Sequence, residues 1–522
     1  MSIQSRILPA LPALWFFITA IIGLAMAYHP ATAWFRFGLI VLGLILLVVF
    51  ARLPEQSSAL EWTLALLPIA VLIYFLLTND WTARIGKLQW LDPLLVWLAA
   101  WQPSIAGARL DSNSLGGVLA SLMPLQIAAV FYSRVSTRTW IGVILIGATL
   151  LGLFLSESRG AWIAVAVIAW LAAIWWLSGR LTPKNQRTIW IVAVALIAVV
   201  GAAAFTLTPL GAQLLGARTD RVEVWRNSFD LATDYAFTGL GLGGFEMAYS
   251  SYALLVHVGH TIHAHDLFLD IWLEQGILGL IAFSAIILTG IANRSESRWR
   301  FAALASVGII VLHGFLDDAF YGYGGIAIPL LFVPLGMLLR APRRLSSWVT
   351  PIVGAATLVA LAIAFAIPTA RAQWFANLGA LSQTRAELSV YQWPQWSFQD
   401  QLRRSPNIDL NPAIENFQSA LALDPKNATA DRRLGQIALS RGEYDQARDY
   451  LIAAYASAPN QRATAQMLGE SFAIAGQSNR AAELWRGLDL SAGQLTVRQW
   501  WYESLGDQAR VLAIVQATPT QP

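Results

Sequence analysis

The sequence predicts an all-α protein: a polytopic bundle of 11–12 transmembrane helices, followed by an extracytoplasmic domain of helical repeats. Three observations predict it. Of the 522 residues, 56% are hydrophobic and only 13% charged, against roughly 45–50% and 25% in soluble domains. Apolar runs close to the ~20 residues that cross a bilayer recur as far as position 368. Beyond that point the apolar runs stop and residues recur with a fixed period. Cys is absent, which excludes thiol nucleophiles, Cys-ligated zinc, iron–sulfur clusters and disulfides. The net charge of +4 is small, and its excess sits in short loops, so nucleic acid is not an expected partner.

The apolar runs lie near 9–27, 34–51, 62–78, 115–132, 138–155, 160–178, 188–208, 267–291, 301–316, 323–340 and 347–368. A run at 89–101 is either a twelfth span or a re-entrant segment. The first run ends in Ala25-Met26-Ala27, which has the form of a signal-peptidase site, but a retained span is expected. Orientation follows from basic loops, which stay cytoplasmic. Arg134 and Arg138, then Arg180, Lys184 and Arg187, then Arg294, Arg298 and Arg300, then Arg340, Arg343 and Arg344 mark them. Alternation then puts the turn Ser156–Arg159, the connection 209–265, the Asp317-Asp318 loop and everything after 368 outside. The expected division is a membrane domain 1–368, a connector 369–412 that the sequence does not assign, and a repeat domain 413–522.

The tail has a 34-residue period: Pro425 and Pro459, Gly435 and Gly469, Gly442 and Gly476, Ala447 and Ala481. Ala413, Phe417 and Ala420 read as the second helix of a preceding copy. The pattern resembles tetratricopeptide repeats, with small residues where paired helices cross. Such repeats present concave binding surfaces. They are therefore expected to serve acceptor or partner choice more than chemistry, so that a chain ending near 368 stays active.

Ionisable groups beside membrane spans are costly and each is a site candidate. Four of the six His fall at 257, 260, 263 and 265. Asp266, Asp270 and Glu274 follow at helical spacing on one face. Asp266 reads as a helix N-cap, and His263, His265 and a carboxylate also admit a metal reading, although no third ligand is set by spacing. Arg159 stands at the outer end of a span, either as an interfacial anchor or as a site residue beside Gly160. Val222, Trp225 and Phe229 form an apolar helical stripe, which leaves Arg218 and Arg221 free for an anion. Gly239-Leu240-Gly241-Leu242-Gly243-Gly244 lacks the preceding strand of a nucleotide loop and reads as a tight turn bringing backbone near the site. Arg109, Asp111 and Asn113 form a further polar group.

These motifs resemble a known superfamily. Ser158-Arg159-Gly160-Ala161-Trp162 is similar to the Ser-Arg-Gly turn of the bacterial O-antigen ligases and Wzy-type polymerases. Arg221 to Trp225, continuing to Phe245, resembles their Arg-x-x-x-Trp and Gly-x-Gly-x-Phe region. His263-Ala264-His265-Asp266 through Glu274-Gln275-Gly276 to Gly279 resembles their His-x-His-Asn and Glu-x-Gly-x-x-Gly signature, with Asp266 where the family has Asn. Arg109 to Asn113 is similar to an earlier Arg…Asn element.

The resemblance implies an enzyme of the cytoplasmic (inner) membrane that takes a glycan from undecaprenyl pyrophosphate on the outer face. It transfers the glycan to an acceptor hydroxyl of a lipid, a glycan or a protein, without metal or other cofactor. Arg159 and Arg221 would hold the pyrophosphate, as guanidinium forks suit a phosphate leaving group. His265 would be the base or acceptor-orienting group, with Arg218, His263, Arg109, Asn113 and Glu274 in support. Ligase activity is the leading expectation, ahead of polymerase and protein O-oligosaccharyltransferase. A non-enzymatic membrane scaffold or transporter carrying a repeat module for a protein partner is the rival from another class.

Overall fold

A computed structural model describes residues 10–82, 92–103, 109–132, 136–180, 185, 188–192, 220–256, 261–293, 295–340, 365–391, 398–488 and 492–519. They are helical, with no strand among them. The membrane part comprises α1 (Ala10–Met26), α2 (Pro30–Arg52), α3 (Ser58–Thr78), α4 (Asp92–Trp101), α5 (Ser112–Tyr132), α6 (Ser136–Leu155) and α7 (Arg159–Ser178). It continues, after the amphipathic α8 (Asp220–Asp234), with α9 (Leu267–Ala292), α10 (Arg300–Leu316) and α11 (Ile328–Leu338).

Five of these, α2, α3, α5, α7 and α9, are long and apolar enough to cross a bilayer. The apolar helices α1, α4, α6, α10 and α11 are shorter. The ten residues of α4 rise only about 15 Å, half the hydrocarbon thickness, so this helix by itself is too short to cross; the start of the 89–101 run lies outside the described residues. The expected spans 188–208 and 347–368 lie mostly or nearly wholly outside the described residues.

Helix α5 is the pillar of the bundle. It carries no charged side chain and is buried on nearly every face, packing on α3, α6, α7, α10 and α11. Helices approach closely where glycine removes a side chain. A Cβ on Gly43 would stand 2.3 Å from the Phe332 ring, and one on Gly336 2.5 Å from Leu47 O, so α2 and α11 touch backbone to side chain at the first glycine and backbone to backbone at the second. The 17-residue α10 separates Arg298, paired with Glu61 at 2.7 Å, from Asp317 by about 25 Å. Basic loop and acidic loop therefore sit at opposite ends of the bundle.

The tail folds as helix pairs. They are α12 (Pro368–Leu388), α13 (Gln399–Arg404), α14 (Asn411–Leu423), α15 (Ala428–Arg441), α16 (Tyr444–Ser457), α17 (Arg462–Ile474), α18 (Ser478–Arg486), α19 (Ala492–Ser504) and α20 (Gln508–Ala517). The periodic glycines sit at the helix crossings: Gly435 against Leu451 and Gly469 against Trp485. The stretch 369–412 is more than a tether, because α12 packs along α14 with Gly379 against Phe417. Trp393, Pro394 and Trp396 lie outside the described residues.

The inner face of the repeats is occupied by the chain's own segment 220–256. Asp234, at the end of α8, is fully buried and accepts from Arg432, from Arg433 (2.7 Å) and from Thr429 (2.9 Å). The Arg433 guanidinium also lies 4.2 Å over the Tyr252 ring, and Arg462 pairs with Glu223 at 2.9 Å near the start of α8. Both ends of α8 are thus held by repeat residues. A chain ending at 368 would lack the repeat residues that contact Asp234, Tyr235 and Tyr252.

Removing one partner of a buried ion pair leaves the other charge unsatisfied, at about 3–5 kcal/mol. Asp234→Ala should therefore lower the unfolding midpoint of the purified protein and loosen residues 220–256 in hydrogen exchange. Asp424→Ala, whose carboxylate caps an exposed turn, should do neither. Equal protection in the two variants would show that the ion cluster does not anchor α8.

Candidate active site

The site forms where α8, the 261–266 loop, the C-terminal end of α10 and the start of α7 meet. Asp317 follows the last turn of α10 and is buried. Its Oδ1 accepts from His265 Nδ1 at 2.8 Å and its Oδ2 from an Arg221 guanidinium nitrogen at 2.8 Å. Arg221 donates again to Leu316 O at 3.2 Å and remains half-exposed. Burial pushes the Asp317 carboxyl up, but the hydrogen bond from His265 and the charge of Arg221 outweigh it and hold it below the usual carboxylate range. An ionised Asp317 accepts a hydrogen bond from the Nδ1–H of His265, which leaves Nε2 as the nitrogen with a free lone pair.

His265 sits at φ +55, a left-handed conformation that costs a non-glycine residue of order 1–3 kcal/mol. Three contacts impose it: its N–H donates to His263 Nδ1 (3.1 Å), its carbonyl accepts from Trp225 Nε1 (3.0 Å), and its ring is tied to Asp317. His263 is buried, and desolvation followed by the charge of His265 pushes its pKa down to about 3. It is therefore a neutral acceptor whose work is to hold its neighbour. Trp225 belongs to the apolar stripe of α8, and that stripe meets the site loop and, through Phe229 on Trp272, the N-terminal part of α9.

Asp266 is the N-cap of α9, accepting from Leu269 N at 2.8 Å. That carboxylate therefore caps a helix, and the acid that faces His265 is Asp317. Asp270 accepts from Ala264 N at 2.8 Å and fastens the loop. Asp318 accepts from the amides of Phe320 and Tyr321 and is pushed up to about 6 by burial.

Glu274 lies deeper, where Oε1 accepts from Gly243 N (3.1 Å) with Arg36 at 3.4 Å. Its role is to dock the glycine turn. Leu240 N donates to Leu273 O and Leu242 N to Gly23 O. Helix α9 is interrupted at Gly276 (φ 74), where a Cβ would meet Phe237 O at 2.0 Å. The Gly-x-Gly and Glu-x-Gly motifs are two halves of one backbone junction, as the tight-turn reading expects.

Arg159 opens α7, exposed, and no side chain among the described residues pairs with it. Ser158 caps the helix, and a Cβ on the adjoining Gly160 would lie 3.5 Å from His313 and 3.6 Å from Leu316. The Arg159 turn and the Arg221 contact thus share the end of α10. Asp111 comes close to His263 across Gly322 and caps α5 through Ser114, beside Asn113. Arg109 is not drawn in; it faces Asp80 at 3.5 Å. Arg218, His257 and His260 lie outside the described residues.

Residues 141–284 match the O-antigen ligase family. The match spans the Arg159, Arg221 and His265 motifs, and residues 409–470 match a tetratricopeptide repeat. The resemblance read from the motifs, with its repeat extension, is shown over these stretches. No curated protein matches the chain. The ligase-family match supports a membrane glycosyltransferase of the ligase and polymerase type.

Sequence reasoning passed over Asp317 as a site residue, placing it only in an outer loop. The available signal was two adjacent acids at the end of an apolar span, where charge is costly. Donor atoms of His263, His265 and Asp317 lie within 4.8 Å of one another, as do those of His263, Asp270 and Asp318. In the first group His263 Nδ1, His265 Nδ1 and both Asp317 oxygens already accept or donate hydrogen bonds within the site.

Proposed function

We propose that this protein transfers a glycan from undecaprenyl pyrophosphate to an acceptor hydroxyl on the outer face of the cytoplasmic membrane. The observation that carries the reading is Asp317, one buried carboxylate that orients His265 and Arg221 at 2.8 Å each. In the transfer, Nε2 of His265 takes the acceptor proton while the acceptor oxygen bonds to the anomeric carbon. The glycosyl–phosphate bond breaks, and its electron pair leaves with the pyrophosphate, whose charge Arg221 and Arg159 offset.

The test is donor turnover by the full-length protein in nanodiscs, with undecaprenyl-pyrophosphate-linked glycan from the producing strain and its envelope extract as acceptor. Donor should be consumed and glycan transferred. An intact donor after prolonged incubation with folded protein would sink the reading.

The rate should persist in EDTA, because the guanidinium groups of Arg159 and Arg221 would offset the phosphate charge in place of a divalent ion. Loss in EDTA with recovery on Mg²⁺ or Mn²⁺ would instead make His263, His265 and Asp317 ligands.

The site and the repeats should face outward. Ser457 is exposed on α16, so a Cys placed there should react with an impermeant maleimide in cells whose outer membrane, where present, is permeabilised. Ser250 is fully buried and is unsuited to this probe. Labelling of Ser457→Cys only after lysis would reverse the topology.

A further inference from the structure

The repeats hold α8 at both ends, and beside its first two turns a cleft of about 660 Å³ stays open. Val222 and Glu223 line one wall, directly after Arg221, and Ile452, Tyr455, Leu468 and Leu484 line the other. The cleft therefore begins one residue from an arginine of the proposed site and runs outward into the repeat domain.

Its chemistry suits an extended polypeptide. The repeat wall sets the aliphatic side chains of Ile452, Leu468 and Leu484 beside Tyr455 and Asn460, and the face of Phe472 is covered by the Arg480 guanidinium at 4.3 Å. The lining therefore mixes seats for apolar side chains with charged groups of both signs, among them the Glu223–Arg462 pair, as a segment of mixed side chains would use.

The surface is also continuous with one that already recognises polypeptide. The same domain holds residues 233–252 of this chain partly through backbone groups: Asn377 Oδ1 accepts from Phe237 N at 3.0 Å, and an Arg432 nitrogen donates to Tyr252 O at 3.4 Å. Repeat solenoids bind extended segments along such concave faces.

We propose that this cleft binds the acceptor, and that the acceptor is a polypeptide. An apolar side chain seats on Ile452 and Leu484, and a nearby hydroxyl-bearing residue is presented to the Arg221 and His265 side of α8. The proposal rests on the transferase reading above. The hydroxyl oxygen of that residue bonds to the anomeric carbon, its proton passes to His265, and undecaprenyl pyrophosphate leaves with the electron pair of the broken bond.

The test uses full-length protein in nanodiscs with the strain's undecaprenyl-pyrophosphate-linked glycan. The acceptor probe is the detergent-extracted envelope protein fraction, supplied intact or after exhaustive protease digestion. Glycan transferred to the intact fraction should be recovered on peptides. The ratio of transfer to free-glycan release should fall about tenfold in Ile452→Asp and in Leu484→Asp, the scale of losing one apolar anchor. Ile452 is 43% exposed, so its replacement is not expected to disturb folding. Leu512→Asp, at an exposed position outside the cleft, should keep the wild-type ratio.

Product found only on protease-resistant lipid or saccharide would overturn the proposal. So would cleft variants that behave like Leu512→Asp. Failure of the transferase reading looks different: donor is not consumed at all, with or without the probe.

Discussion

His265→Ala should lower single-turnover transfer by about 10²–10⁴, the usual scale for losing a positioned proton acceptor, while donor binding stays nearly intact. The geometry gives the reason. Asp317 engages Nδ1 at 2.8 Å, so the ring presents Nε2 as its base, and no other residue among the described ones makes that arrangement with this carboxylate. Asp317→Asn should share much of the loss. An amide can satisfy Nδ1 in either sense, the tautomer is no longer imposed, and Arg221 loses its carboxylate partner at the same time. His263→Ala should be milder, since His263 acts on the His265 backbone rather than on the acceptor. Transfer and donor binding measured separately on folded variants decide it. Near-normal transfer in His265→Ala with abolition in His263→Ala would move the base to His263, and an effect from neither would end the mechanism as written.

Arg159→Ala and Arg221→Ala should each cost about 10²–10³ in rate, the scale of removing one group that stabilises developing charge. Lys should rescue poorly in both, because an ammonium cannot reproduce the planar fork. The two arginines differ in what else they do. Arg159 has no side-chain partner among the described residues, so its loss should leave stability unchanged and appear in transfer alone. Arg221 also bonds Asp317 and the Leu316 carbonyl, so Arg221→Ala should additionally disturb the orientation of His265. A double variant of Arg221 and His265 should therefore lose less than the product of the single losses, whereas Arg159 and His265 should combine closer to multiplicatively. Wild-type rates in either arginine variant would remove that residue from the pyrophosphate site.

The fold class, most apolar helices and the repeat period were legible in the sequence, because each depends on short-range patterns. Span length follows from bilayer thickness. Repeated small residues follow from the spacing of helix crossings, as Gly435 and Gly469 confirm. The motifs around Arg159, Arg221 and His265 were legible too, since each is a short contiguous pattern within the stretch that matches the ligase family. Two things were decided only by the tertiary structure. Asp317 is 52 residues from His265 and 96 from Arg221, and no local pattern signals that one carboxylate will serve both. The repeats, charge-balanced and read as an outward-facing module, turn their inner face onto α8 through Asp234 and Arg433, 199 residues apart. A buried charge must find its partner somewhere in the folded chain, but sequence shows only that the charge exists; three-dimensional packing chooses the partner.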